Sequence, residues 1–333
     1  MENEMGNDSK TNTVGNNSDY TYSATADNFG ALPSEIEMGE AAGVAVDQAD
    51  LVYVYNRGKY PIIIFDTDGN FKSAWGEGTS VNPHGVSIGP DKNIYCVDAG
   101  DHTVKQFNAE GKLIQTIGTP GKSSGRMSGT PFCHPTHAAV SSKTGDIFVS
   151  DGYSNAVVHK FDSDGKFIMS WGRSGTDPGE FNTVHNIAID NDDWVYIADR
   201  ENHRIQIFDT NGKFQTQWIN LAMASCIFIK HGATKQFFVG EFFAGIRENP
   251  SGLGNWTGER LGPRISVLNE SGNAIARIGT NPIGLSAGDF VAPHGISLDS
   301  KDNIYLGEVS WSAYGNNLTP PQKVRTIQKL TKV

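Results

Sequence analysis

An all-β chain arranged as a six-bladed β-propeller is the fold this sequence predicts, and three observations predict it. A short apolar segment recurs six times: AAGVAVD (41–47), PHGVSIG (83–89), PTHAAVS (135–141), VHNIAID (184–190), ASCIFIK (224–230) and PHGISLD (293–299). Each copy is followed by the same succession of polar turn, short strand that in most copies ends in an acid, and third strand. Every copy but the last then has a Gly-bearing tight turn and a fourth strand. The copies are spaced by about 40 to 50 residues, lengthening between the fifth and the sixth. Four strands per repeat with glycine hairpins at this spacing describe a propeller blade, and the first strand of each blade lines the centre of the ring.

The individual elements bear this out. Second strands read NIYCVD (93–98), DIFVSD (146–151), WVYIAD (194–199) and NIYLGE (303–308), and third strands read VKQF (104–107), VVHKF (157–161) and RIQIF (204–208). The turns EGK, DGK and NGK supply the left-handed residue a tight hairpin requires. Blade six has only three strands at the C-terminal end, the third from KVRTIQKLTK (323–332), so YTYSATA (20–26) is expected to add its fourth strand and close the ring. An unclosed ring would leave exposed strand edges. Residues 1–19, rich in Asn, Ser, Asp and Gly, are expected to be a disordered polar N-terminus preceding a single propeller domain over 20–333.

Composition sets the outer limits. The 333 residues carry a formal charge of -10 and show no Lys/Arg cluster, which argues against nucleic acid as a partner. The longest apolar runs are strand-sized, so no membrane span is expected. No apolar leader opens the chain, which leans slightly toward a cytoplasmic location. Cys96, Cys133 and Cys226 form no C-x-x-C pattern and leave at least one thiol unpaired.

Superposing the six copies places Ala42, His84, Thr136, His185, Ser225 and His294 in one column. Histidine occupies the second, fourth and sixth blades, 120 degrees apart in a six-fold ring, so three imidazoles converge on the axis. Three His with an open fourth position is the ligand set of a catalytic zinc site. The competing structural reading has each histidine bonding a neighbouring carbonyl at a strand end.

A second column holds Asn56, Asp98, Asp151, Asp199, Glu241 and Glu308, immediately followed by Arg57, Ala99, Gly152, Arg200, Phe242 and Val309. The acids recur in blades with and without histidine, which favours a duty in tying loops at strand ends. The arginines occur only in blades one and four and suit a bound carboxylate, the alternative being salt bridges to Asp199, Glu201 or Glu241. Tyr153 follows Asp151-Gly152 and could reach a metal-held oxygen. His134 and His137 flank the ligand column in blade three, as second-shell or structural residues. Glu241 and Glu308 stand among the residues that could border the pocket. So do Trp256, Trp311 and Tyr314, carried by the insertions 243–264 and 310–323, which are expected to wall the site.

The segments PHGVSI, FCHPTHAAVSSKTGDIFVSDGYSNAVV, FNTVHNIAID, VYIADRENHRIQIFD and APHGISLD together resemble the peptidyl-alpha-hydroxyglycine alpha-amidating lyase branch of the six-bladed NHL-type propellers, over residues 40 to 309. The resemblance implies a catalytic zinc on His84, His185 and His294, with Tyr153 as the tyrosine of the DGY loop and Arg57 and Arg200 as carboxylate-handling arginines. It implies cleavage of the C–N bond of an alpha-hydroxyglycine to an amide and glyoxylate. Two departures matter. Gly295 replaces the aspartate that helps the family hold a structural calcium near Val44 and Val86, so calcium is not expected. Ser154 replaces the cysteine that pairs with the counterpart of Cys133. The reading is a zinc lyase for a small-molecule or peptide carboxylate bearing a carbinolamine. A zinc hydrolase of a small amide or lactone, or a non-enzymatic NHL propeller that serves as a binding module, are the alternatives.

Overall fold

The strands gather into six antiparallel sheets, and the computed structural model that shows them describes residues 12–25, 29–243, 261–279 and 283–333. Blade one is built from Ala41–Val46, Val52–Asn56, Ile62–Phe65 and Phe71–Trp75, and blade two from Pro83–Ile88, Ile94–Asp98, Thr103–Phe107 and Leu113–Ile117. Pro135–Val140, Ile147–Asp151, Val157–Phe161 and Phe167–Trp171 make blade three; Val184–Ile189, Val195–Asp199, Arg204–Phe208 and Phe214–Trp218 make blade four. Blade five comprises Met223–Lys230, Gln236–Phe242, Arg264–Leu268 and Ala274–Ile278. Each first strand packs against the first strands of the blades on either side, so the six surround a common axis.

The burial pattern explains the sequence pattern. Second strands such as Ile94–Asp98 and Ile147–Asp151 are buried throughout because a neighbouring blade covers each face, and they therefore read as continuous apolar runs. Fourth strands such as Leu113–Ile117 face solvent and tolerate polar residues. The core is a series of apolar layers between blades, for example Tyr53, Tyr55, Ile62 and Ile64 of blade one against Val86, Ile94 and Phe107 of blade two.

Blade six closes the ring as the sequence predicts. Its Pro293–Leu298, Ile304–Glu308 and Ile327–Lys332 are joined by Tyr22–Ala24 from the other end of the chain. The expectation of a disordered 1–19 needs correction over its later part. Asn12–Val14 adds a fifth, outermost strand to this sheet, and a 3-10 turn follows at Ser18–Tyr20. The asparagines that made the stretch look unstructured are spent on neighbouring backbone: Asn12 Nδ2 donates to Ala287 O in the loop between blades five and six, Asn17 Nδ2 donates to Ile275 O of blade five, and Asn16 Oδ1 accepts from Arg277 N of the same strand. Residues 1–11 lie outside the described residues. Among the described residues no helix is long and apolar enough to cross a membrane.

One irregularity recurs in every blade. The register between first and second strands slips beside the column residue: Ala41 pairs with Asn56 and then Gly43 with Tyr55, Val184 with Asp199 and then Asn186 with Ala198, Pro293 with Glu308 and then Gly295 with Gly307. The residue passed over, Ala42, His185 or His294, is the extra residue of a β-bulge. Bulges re-aim side chains, and here they coincide with the residues at the axis.

Candidate metal centre

The acid column anchors the scaffold. Asp98 accepts from Val81 N and Asn82 N, Asp151 from Cys133 N, Asp199 from Asn182 N, and Asn56 Oδ1 from Gly39 N. In each case the loop entering the blade's own first strand is tied to the end of its second. Glu241 and Glu308 do the same, on Ala222 N and on Val291 N and Ala292 N, and Glu241 is also paired with Arg264 and Ser266. Burial pushes the Glu308 carboxyl upward. These two residues belong with the scaffold and not with the pocket.

With the strand entrances fixed, His84, His185 and His294 meet on the axis. Their ring centroids are 4.5 to 4.9 Å apart, and each is almost fully buried. One potential ligand atom from each lies within 4.8 Å of the others. The Nδ1 atoms point away from the axis and bond backbone carbonyls of the next blade: His84 to Thr136 O at 2.6 Å, His185 to Ser225 O at 2.7 Å and His294 to Ala42 O at 2.6 Å. A carbonyl oxygen only accepts, so each Nδ1 carries the proton and each Nε2 presents a lone pair. The two sequence readings of the column therefore hold together: one ring nitrogen bonds a neighbouring carbonyl and leaves the other for the axis.

Burial, reinforced by neighbouring positive groups that include Arg57 and Arg200, holds the imidazoles of His84 and His185 well below the ordinary range and brings His294 to about 3. All three are neutral near pH 7, the state a metal requires.

Tyr153 completes the centre. Its hydroxyl lies 2.9 Å from His84 Nε2 and 3.0 Å from His185 Nε2. A phenol has one proton, so it satisfies one of these acceptors and sets a lone pair against the other. A cation between the nitrogens removes that conflict, and three neutral imidazoles are a donor set suited to zinc and its transition-metal neighbours. The residues present fit a metal.

Around the trio the structure sorts the remaining sequence candidates. Arg200 lies over the rings of Tyr153 and Phe242 and pairs with Glu201 at 2.8 Å. Arg57 pairs with Glu40 at 2.6 Å and also donates to Ser312 Oγ and Pro83 O. Glu40 was not among the expected partners, because it precedes the first repeat. Phe242, one residue past the acid column, faces His185 and His294. Its register with Arg57 and Arg200 was the signal that could have marked it as a site residue.

His137 sits one residue beyond the ligand column in the channel, donates Nδ1–H to Ile187 O, and is lowered to about 4 by burial. His134 stacks edge-on with His102 and lies beside Cys133, in a cluster apart from the trio. Trp311 borders a cavity of about 480 Å³ with Arg57 and Glu40, and Tyr314 packs beside Ala42 and Val309. Trp256 lies outside the described residues. All three cysteines are free and buried. At Gly295 a β-carbon would stand 2.7 Å from Gly43 Cα and Val44 N, so this backbone leaves no room for an aspartate there.

Comparison with known proteins agrees with this architecture. A family model described as a 6-bladed beta-propeller matches residues 138–242. NHL repeat-containing protein 3 of Homo sapiens is 30% identical over 282 residues, covering 80% of this chain and 76% of that protein. Peptidyl-alpha-hydroxyglycine alpha-amidating lyase 1 of Drosophila melanogaster is 34% identical over 176 residues, covering 48% of this chain and 31% of the relative. A solved virginiamycin B lyase from Staphylococcus aureus shares the fold with a TM-score of 0.55 at 15% identity, over 94% of this chain and 88% of that one.

Proposed function

This chain belongs to the six-bladed NHL-repeat propellers, and from that premise we propose that it is a zinc-dependent lyase that cleaves the C–N bond of a carboxylate-bearing carbinolamine, such as an N-acyl-alpha-hydroxyglycine. The observation that carries the reading is the placement of the Tyr153 hydroxyl between two buried, neutral imidazoles of a three-histidine cage. The partial match to an amidating lyase supports the reaction class.

His84, His185 and His294 would hold the ion through Nε2, their rings oriented by the Nδ1–H bonds to Thr136, Ser225 and Ala42. When bound, zinc supplies a Lewis acid that lowers the pKa of the substrate's hydroxyl. Tyr153 relays that proton to the departing nitrogen. As the O–H bond breaks, its electron pair forms the new carbonyl; the C–N pair leaves with nitrogen, which takes the proton. An amide and a 2-oxo acid result. Arg200 and Arg57 orient the carboxylate by charge-assisted hydrogen bonds. Arg200 is suited to this, since its Nε and one terminal nitrogen both bind a single oxygen of Glu201, which turns the guanidinium across the Tyr153 and Phe242 rings.

The test incubates zinc-loaded protein with an N-acyl-alpha-hydroxyglycine and quantifies amide and glyoxylate. Equimolar release above the metal-free control is the expected result. Stoichiometric zinc without release would reject this substrate class, and hydrolysis of simple amides or lactones instead would replace the lyase by a hydrolase.

A further inference from the structure

The column residues are linked into a ring around the axis, and the ring is built from two different devices. In blade three, Thr136 holds His84 through its carbonyl, while its hydroxyl donates at 2.8 Å to Val184 O, the carbonyl just before His185. In blade five, Ser225 holds His185 through its carbonyl, while its hydroxyl donates to Pro293 O, just before His294. Each hydroxyl thus anchors the strand that carries the next histidine. Blade one breaks the pattern. Ala42 holds His294 through its carbonyl but has no hydroxyl to reach Pro83 O, just before His84. That carbonyl is instead taken by Arg57 Nε at 3.3 Å.

The Arg57 side chain is itself constrained for this. Its NH1 bonds Glu40 Oε2 at 2.6 Å, and Glu40 is held in turn by the Ser312 backbone N–H and hydroxyl, each at 2.6 Å. The carboxylate and the blade-six insertion therefore fix the guanidinium plane from one side while Nε–H faces the strand of His84.

We propose that Arg57 is a positioning residue for His84, closing the ring of hydrogen bonds at the one blade where alanine has removed the hydroxyl, so that Ala42 and Arg57 form a compensating pair. This rests on the reading of the trio as a metal site. It adds to the carboxylate-orienting role a second one that uses a different atom of the same guanidinium.

The two roles can be separated. In Arg57→Gln the amide nitrogen falls where Nε stands, so the donor to Pro83 O is kept and the charge is lost. Arg57→Met has similar shape and neither donor nor charge. Zinc affinity measured by chelator competition should be about tenfold weaker in the Met variant than in the Gln variant, the low end of the range for partners that orient a metal-bound histidine. Loss of positive charge beside the ion is common to both and cancels in the comparison. Adding Ala42→Ser to Arg57→Met should restore zinc affinity without restoring selectivity for acidic substrates.

A readout on metal-free protein makes the outcome independent of the metal reading. The His84 Nδ1 proton, followed by NMR, should exchange faster with water in the Met variant than in the Gln variant. Equal zinc affinities and equal exchange rates in the two variants would overturn the proposal. A wild-type protein that takes no zinc would reject the metal site, whereas the exchange rates would still report on whether Arg57 braces His84.

Discussion

Gly152 lies against the backbone of Val184 so closely that a β-carbon would stand 2.0 Å from the Val184 carbonyl oxygen. This approach carries the loop of blade three onto blade four and brings Tyr153 to His185. Gly152→Ala must push the loop outward, at a cost of about 1 to 3 kcal/mol for overpacking. The expected outcome is a modest fall in Tm with a large fall in kcat, since the phenol is withdrawn from the imidazoles. Thermal melts with steady-state kinetics check it; unchanged kcat would mean that the loop relaxes without moving Tyr153.

Tyr153→Phe removes the hydroxyl and little else, because the ring keeps its edge contacts with His84 and His185. A proton-relaying group typically contributes about 10²- to 10⁴-fold. The variant should lose that factor in kcat while KM and zinc content stay near wild type. A loss of zinc instead would make Tyr153 part of the metal's binding and not of proton transfer.

Arg200→Ala should leave the three histidines in place and cost about 2 to 5 kcal/mol in kcat/KM on an acidic substrate, the range for truncating one member of a buried charge pair. On an analogue with a neutral amide in place of the carboxylate the loss should be much smaller. Equal losses on both would assign Arg200 to the packing of Tyr153 and Phe242.

In the metal-free protein, stability should fall as pH drops from about 6.5. The unfolded chain protonates its histidines near that value, whereas burial keeps those of the trio neutral in the folded state, His294 down to about 3. The unfolded state therefore binds more protons in this window. Each such histidine contributes a slope of about 1.4 kcal/mol per pH unit, full at pH well below 6.5 and vanishing above it. His294→Asn should flatten the slope of unfolding free energy against pH by about that amount in denaturant titrations between pH 6 and 4. An unchanged slope would show that His294 is protonated in the folded protein.

The six blades were legible because each repeat must bury the same faces, so the apolar pattern returns at every copy. The trio was legible because histidine returned in alternate copies of one column. The bulge that exposes those residues to the axis was not, since a register slip leaves the order of residue types unchanged. Glu40 was also hidden: it lies outside the repeat, and only the folded ring brings it to Arg57. The strand Asn12–Val14 was missed because an outermost strand needs few buried side chains, and here Val14 is the one that is buried. Asn12 and the nearby Asn17 satisfy backbone carbonyls of blade five and of the loop after it, a use that composition does not distinguish from solvation.

Blade six is assembled from both extremes of the chain, with Tyr22 opposite Lys332 and Val333 N donating to Thr21 O. It also carries His294, whose ring is held by blade one. The three imidazoles thus come together only when blade six is seated against blade one. Any ion they take binds the finished ring and not a chain with blade six undone, so its binding energy acts as a fastener on the seam. Chelation should then loosen the molecule first along Tyr22–Ala24 and Ile327–Lys332, the two strands that form the seam, where faster amide exchange would report the opening.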